Sequence, residues 1–556
     1  MMRASAVALT LATSGFAASC LPLGPAPSGK RLLDDGTAYQ VQFVPGPAGT
    51  AARLVTAKIT NYETPGAFSL YAVHEPADGQ GLGTETFLID QVEGLGVLCT
   101  DSACPQTDGQ GRLFVPRDNK STAANDPSFN MSLARVDPVT NEAIDFGAMS
   151  SFIGTFQDRA GVAYRTPDSL RIRDASDQET LFDDRYSAQV VNDELYFLAW
   201  DTAGRGTLQR LGPPPFDTQE TVATDLTAFT ALRQDQVLVL TSCSQTTSDT
   251  DCSSVAFDPV TGQRTALPQD GSSAWSASPS GRYLLLVRNP QAPTSPYDIP
   301  SVISLFDLTL GVQKSTTIVN LSVTYWPPGR DELWLVGAPL DPTQSDSSNT
   351  AEASFWRWQP GMDPEMVLTE QLPFSPITSD TTTWPFTPDG RYLLTVPAIS
   401  QNDKPTVSLR ATDDPATELL ALNPTGTGVQ DVRQLPDGRL IVSDWITDGS
   451  HADIYLVDPD ARTMRPLGHG GKVVATGATR ILALLDWVAT GGSGSLSLID
   501  VATGATTLLA ENVHTVAVEQ PVTAGGDVLA PGTRVAYVAR NRVASPYDGL
   551  WLTSLP

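Results

Sequence analysis

Residues 387–396, TPDGRYLLTV, form a turn that runs at once into an apolar strand, and versions of this stretch recur down the chain. Pro388 fixes φ for a turn, and Asp389-Gly390 supplies residue types that tolerate positive φ. Residues 392–396 are too few for a typical helix and rich in strand formers. Their apolar run does not alternate with polar residues. A strand with one wet face alternates, so this one is expected to be covered on both faces.

The copies are easy to find. Ser278-Pro279-Ser280-Gly281-Arg282-Tyr283 leads into Leu284-Leu285-Leu286-Val287. Leu435-Pro436-Asp437-Gly438-Arg439 leads into Leu440-Ile441-Val442, and Pro328-Gly329-Arg330 stands shortly before Leu333-Trp334-Leu335-Val336. Fainter copies precede Leu195, Val237, Ile481 and Val535, which makes eight units from Asn192 onward. Each is followed, roughly 15 to 25 residues later, by a strand ending in Asp and then a turn, as at Asp258, Asp307, Asp458 and Asp500. Asp258 and Asp307 are 49 residues apart, and Asp458 and Asp500 are 42 apart.

Several short strands repeated at this period mark a β-propeller, in which each blade packs both faces on its neighbours. The turn resembles the TolB-type, WD40-like propeller repeat, whose Ser-Pro-Asp-Gly-Arg turn joins the first two strands of a blade. The match is close at Gly281, Gly390 and Gly438 and looser at Gly329, and it covers roughly residues 185–556. The motif is structural and carries no catalytic residue with it. In some relatives a serine peptidase domain follows the propeller. Here the G-x-S-x-G nucleophile pattern is missing and the repeats run to the last residues, so no such domain is expected.

The expected class is therefore all-β: a propeller of eight blades, or seven if one unit is misread. Charged residues are 17%, below the average of about 25%. The 44 Gly and 43 Pro suit many turns. Residues 36–110 read as an accessory β-region, because Tyr39 to Val44 alternates like a sheet with one wet face. Residues 111–184 are β-rich and offer further blade strands. The strand around Leu550-Trp551-Leu552 is expected to be an inner or third strand of the last blade. Its missing outer strand should come from residues before the first full blade, which removes the open edge.

The N-terminus reads as an address. Met1-Met2-Arg3 is a basic start, and residues 4–18 form a small-residue, mildly apolar segment too short to span a bilayer. Ala17-Ala18-Ser19-Cys20 resembles the bacterial lipoprotein signal, with Ala17 where Leu is usual. The resemblance implies a signal peptide over 1–19, a lipidated Cys20, and a Pro/Gly-rich tether over 20–35. Leu21 is not the Asp that signals inner-membrane retention in enteric-type bacteria, so a lipid-anchored outer-membrane location is expected. Setting Cys20 aside leaves an even set, Cys99, Cys104, Cys243 and Cys252. Closeness in sequence favours Cys99–Cys104 and Cys243–Cys252 as disulfides in an exported protein.

Motifs for chemistry are sparse. The four histidines are His74, His451, His469 and His514, and none stands at metal-ligand spacing. Asp249-Thr250-Asp251 supplies two carboxylates, too few for calcium. Gly491-Gly492-Ser493-Gly494-Ser495 lacks a Lys and reads as a hairpin connection. Trp275, Trp326 and Trp384 precede three of the turns. They suit either first-strand packing or an aromatic ligand face. Phe355-Trp356-Arg357-Trp358 reads as packing between blades. No metal, cofactor or catalytic residue is implied. The formal net charge of −27 disfavours nucleic acid.

The leading reading is a cell-envelope lipoprotein whose propeller binds a protein or glycan, touching the membrane only through its lipid. Its alternatives are a propeller hydrolase or lyase with a metal or carboxylate site in the central channel, and a structural envelope component. Replacing Cys20 by Ser (Cys20→Ser) should move the protein from the membrane fraction to the soluble fraction on ultracentrifugation. Retention in the membrane would overturn the lipid anchor.

Overall fold

The computed structural model describes residues 25–556 except 47–49, 60–67, 77–80, 93–105, 119–130, 157–160, 184–185, 203, 213–215, 217, 233–236, 245–250, 271, 289–299, 339–352, 371–384, 396–406, 423–427, 446–452, 489–491, 521–525 and 542–544. Among the described residues every regular element is a strand, and no helix is long and apolar enough to cross a membrane.

The chain is a succession of antiparallel meanders. Tyr186–Val191, Glu194–Trp200, Gly206–Leu211 and Gln219–Leu226 make one four-stranded sheet in chain order, and Ala228–Leu232, Val237–Ser244, Asp251–Phe257 and Arg264–Ala266 make the next. In each meander we call these the inner, second, third and outer strands. In several described cases the outer strand of one meander passes directly into the inner strand of the following one. Val312–Tyr325 shows this within a single strand: residues 312–319 pair with Pro300–Asp307, and residues 323–325 pair with Leu333–Ala338. Thr506–Val518 does the same, bending at Asn512 (φ 55°). Elsewhere a residue with positive φ marks the handover, as at Gly147 (84°), Asp225 (58°) and Gly470 (50°).

The described strands form eight hydrogen-bonded sheets, but three of these hold two meanders each, so sheets do not translate one for one into blades.

The apolar runs are covered on both sides, as their lack of alternation implies. Leu284 and Leu286 pack with Val237, Val239 and Ala256 of the preceding sheet. Tyr283, Leu285 and Val287 pack with Leu333, Leu335 and Trp358 of the following meander. Full burial of such a side chain contributes about 1.5–3 kcal/mol, so each second strand is held from two directions.

The array closes on itself. Lys30–Leu33 pairs antiparallel with Gly549–Ser554 and supplies the outer strand of the last meander, as the sequence leads one to expect. The tether expected over 20–35 therefore gives way to strand at Lys30. Leu32, Val41, Phe43 and Leu54 then pack on Ala536, Val538 and Leu550, joining the first meander to the last.

One expectation fails here. The alternation at the start of the chain does not mark a wet face, because Gln40, Thr56 and Ser69 are buried. Small or hydrogen-bonded polar side chains are tolerated inside the closing contact; Thr56, for one, donates to Glu85 Oε1 at 3.4 Å.

Two kinds of tight turn occupy the same rim. Between inner and second strands, Gly281, Gly329, Gly390 and Gly438 all have positive φ, from 68° to 89°. The buried Thr387 hydroxyl accepts from Tyr392 N at 3.1 Å, and Gly390 N donates to Thr387 O at 2.8 Å; Ser278 and Gly281 repeat both bonds. A Cβ at Gly390 would lie 2.6 Å from Pro327 Cβ in the turn of the preceding meander, so glycine is required there for space as well as for φ.

Between third and outer strands, the terminal Asp caps the turn. Asp258 accepts from Val260 N (2.8 Å), Thr261 N (3.1 Å) and Thr261 Oγ1 (2.6 Å). Asp307 accepts from Thr309 N and Leu310 N, and Arg282 of the first turn donates to it at 2.7 Å. Neighbouring meanders are tied along this rim by Ser280 Oγ to Asp331 (2.6 Å) and Asp389 N to Gln434 Oε1 (2.9 Å).

Leu32→Ala should destabilise the protein by about 2–5 kcal/mol in chemical denaturation, because Leu32 is buried in the closing contact. A loss below about 0.5 kcal/mol would mean that closure does not hold the array together.

The Asp caps give a second test. The Arg282 guanidinium, against an opposing effect of burial, holds the Asp307 carboxyl below its ordinary 3.8. Burial acts to raise the Asp258 carboxyl, but hydrogen bonds from Thr261 and Val260 outweigh it. The Thr503 hydroxyl and N–H lower Asp500. In all three the unfolded chain takes up protons first, so the stabilisation is complete above about pH 5 and is lost as pH falls through the folded values. Replacing all three by Asn should flatten the fall in unfolding midpoint below about pH 5. An unchanged slope would rule the caps out as its source.

Candidate functional site

The inner strands carry a repeated irregularity. Against their second strands the pairing skips one residue: Ile153 between Phe152 and Gly154, Trp275 between Ala274 and Ser276, Val474 between Val473 and Ala475, and His514 between Val513 and Thr515. A bulge of this kind bends the strand and re-aims the extra side chain. All four fall on the inner strand of their meander, for which no hydrogen-bonded strand further in is found among the described residues.

What the bulged residues present differs. Ile153, Val474 and His514 are half-buried. His514 Nε2 lies 3.1 Å from Arg540 O, so its ring is engaged with the backbone. Trp275 is 59% exposed, the largest aromatic surface shown to solvent among the described residues. The next residue, Ser276, accepts from the indole N–H of Trp326 in the following meander at 3.0 Å. Trp326 is packed against the core beside it. The two tryptophans therefore divide the roles the sequence left open: Trp326 packs, and Trp275 faces outward. Trp384 lies outside the described residues.

Polar groups also bridge the inner strands. Gln189 Oε1 accepts from Ala231 N at 2.9 Å across two meanders. Arg433 donates to Val473 O (2.9 Å) and Val474 O (3.1 Å), and its Nε bonds Asp431 at 2.7 Å. Asp431 Oδ1 is buried without a hydrogen-bond partner. These contacts bind one inner strand to the next.

The remaining candidates fall elsewhere. Cys243 and Cys252 stand opposite each other in adjacent strands and form a disulfide at the base of a connection on the other rim. Cys20, Cys99, Cys104, His451, Asp249 and Thr250 lie outside the described residues. His74 Nε2 lies 3.1 Å from Thr86 Oγ1. Phe355 and Trp358 are fully buried, as a packing strand requires. Residues 480–488 and 493–500 pair around Gly492, so that Gly-rich run is a hairpin connection.

Sequence spacing missed one pair: His469 Nδ1 lies 2.7 Å from Asp453, sixteen residues away, with the imidazole 74% exposed. Only the strand pairing of residues 454–468 brings the two together. Among the described residues no group of three or more His, Cys, Asp or Glu is placed to hold a metal.

No family model and no curated protein matches this chain. Solved structures do. TolB from Acinetobacter baumannii is 13% identical over 51% of this chain and 74% of that one, with a TM-score of 0.23. The β-propeller domain of the Trilobed protease from Pyrococcus furiosus is 11% identical over 59% and 97%, with a TM-score of 0.28. An oligogalacturonate lyase in complex with manganese is 13% identical over 68% and 97%, with a TM-score of 0.28. Likenesses this remote carry no activity, substrate or partner to this chain. Its architecture stands on its own strand pairing: all-β meanders in series, closed by a strand from the N-terminal end.

Proposed function

We propose that this protein is a cell-envelope lipoprotein, anchored through Cys20, whose propeller binds an envelope protein or glycan at the inner wall around Trp275. One observation supports the reading above all: a large aromatic side chain is 59% exposed at a bulge on an inner strand. An indole offers a broad apolar face plus one N–H donor, which suits the face of a sugar ring or an apolar peptide side chain. The strand behind it is held by the Trp326–Ser276 bond, so little order remains to be imposed on binding. Aromatic anchors of this type carry a large share of interface energy.

The test uses the secreted domain without its lipid (Cys20→Ser) as bait in cell-envelope extracts and against a glycan array. Trp275→Ala should lower affinity for the captured partner tenfold or more, about 1.4 kcal/mol or above. Its melting temperature should stay within about 2 °C of the parent, since the side chain is exposed. Undiminished capture by Trp275→Ala would move the binding surface away from the inner wall. Turnover of a glycan or peptide without retained binding would favour the enzyme alternative.

A further inference from the structure

We propose that the rim of tight turns rests on a lipid bilayer and that the opposite rim, with the second-to-third-strand connections, points away from it. The proposal depends on the reading of Cys20 as the lipidated residue. Two independent observations point to the same rim.

The first is where the chain leaves the fold. Lys30–Leu33 is the outer strand of the last meander, so it starts at the end where third and outer strands meet. Just before it, Ser28 N donates to Leu509 O at 2.7 Å, the Tyr537 hydroxyl donates to Ser28 O, and Pro27 is buried. The chain therefore enters this strand from its tight-turn end, with Ser28 held against the outer strand of the preceding meander. Turns of both kinds share that rim, as Leu308 N to Arg282 O and Val501 N to Thr479 O show, each at 2.9 Å. Cys20 lies seven residues before Pro27, which spans roughly 25 Å at full extension. A six-residue strand is about 20 Å long. Reaching the other rim would use nearly the whole tether along the side of the sheet, whereas the near rim needs almost none of it.

The second is where apolar surface is shown. Scattered exposed apolar side chains are ordinary and mean nothing singly. Among the described residues, five of the twelve large ones share one kind of position. Leu82, Val139, Val260, Leu310 and Met362 lie in five connections between third and outer strands, and are 46%, 46%, 81%, 65% and 61% exposed. In three of these turns the carboxylates of Asp137, Asp258 and Asp307 turn back onto turn N–H groups, while Asp363 beside Met362 stays 90% exposed. Several shallow apolar tips on one rim suit the headgroup boundary of a bilayer. Each inserts little, and the lipid supplies the tether.

The full-length lipidated protein is reconstituted into vesicles of phosphatidylcholine and phosphatidylethanolamine, carrying an environment-sensitive dye on Val260→Cys or Leu310→Cys, or on Thr202→Cys at the opposite rim. At positions 260 and 310 the emission should shift to the blue and be quenched by a nitroxide borne on the lipid. At position 202 it should stay as in water. Water-like emission at all three from protein that still floats with the vesicles overturns the orientation and leaves the anchor standing. Quenching at 202 alone reverses the orientation and overturns it equally. Protein that does not float fails both readings, and its Cys20→Ser variant then behaves identically. A blue shift at 260 that grows with protein concentration in the absence of lipid assigns the rim to a second copy of the chain and also overturns the proposal.

Discussion

The two-sided burial of the second strands is what the rest of this structure depends on. Residues 283–287 place alternate side chains into different cores, one shared with the sheet before and one with the meander after. No meander can complete its own hydrophobic surface, so each is stable only between neighbours. An open series of this kind would leave two uncovered sheets at its ends. The strand Lys30–Leu33 and the packing of Leu32, Val41 and Phe43 on Ala536 and Val538 cover them.

The tight turns follow from the same constraint. Sheets packed face to face leave little room at their ends, so connections on the crowded rim must be short and self-satisfied. Glycine at positive φ, a buried Ser or Thr hydroxyl and an Asp over the turn N–H groups each meet part of that need. The Arg282–Asp307 contact joins the two turn types within one meander, while Ser280–Asp331 and Asp389–Gln434 join successive meanders. The repeat motif is thus a joint. This explains why versions of it recur along the chain.

Function falls to what this joint leaves free. Among the described residues the inner strands have no strand partner on their inward side, and bulges there turn single side chains out of the ladder. Among the described residues Trp275 combines size, exposure and a held backing strand. The turn rim, by contrast, combines apolar tips with the chain's exit. Partner recognition and membrane apposition would then occupy different surfaces, and a ligand on the inner wall would be reached from the rim facing away from the lipid.

Much of the fold was legible in the residues. The turn at 387–390, the non-alternating run at 392–395 and the Asp-ended strands named the class, because local turn chemistry and a continuous apolar run each have few structural solutions. The Cys243–Cys252 disulfide was legible from closeness in sequence. The candidate site was less so. Trp275 and Trp326 look alike as sequence, and only the packing of one meander on the next partly buries the second and leaves the first exposed. The buried Thr56 mimics a wet face because alternation records polarity, and its burial depends on what another sheet, nearly five hundred residues away, lays over the face it shares with Val41. The pairing of His469 with Asp453 is hidden for the same reason. Sequence alone determined the repeating unit, its turns and the need for closure, all of which are set by neighbours in the chain. The tertiary structure decided which aromatic faces solvent and which rim carries the exit, since both depend on contacts between units that the chain order does not place together.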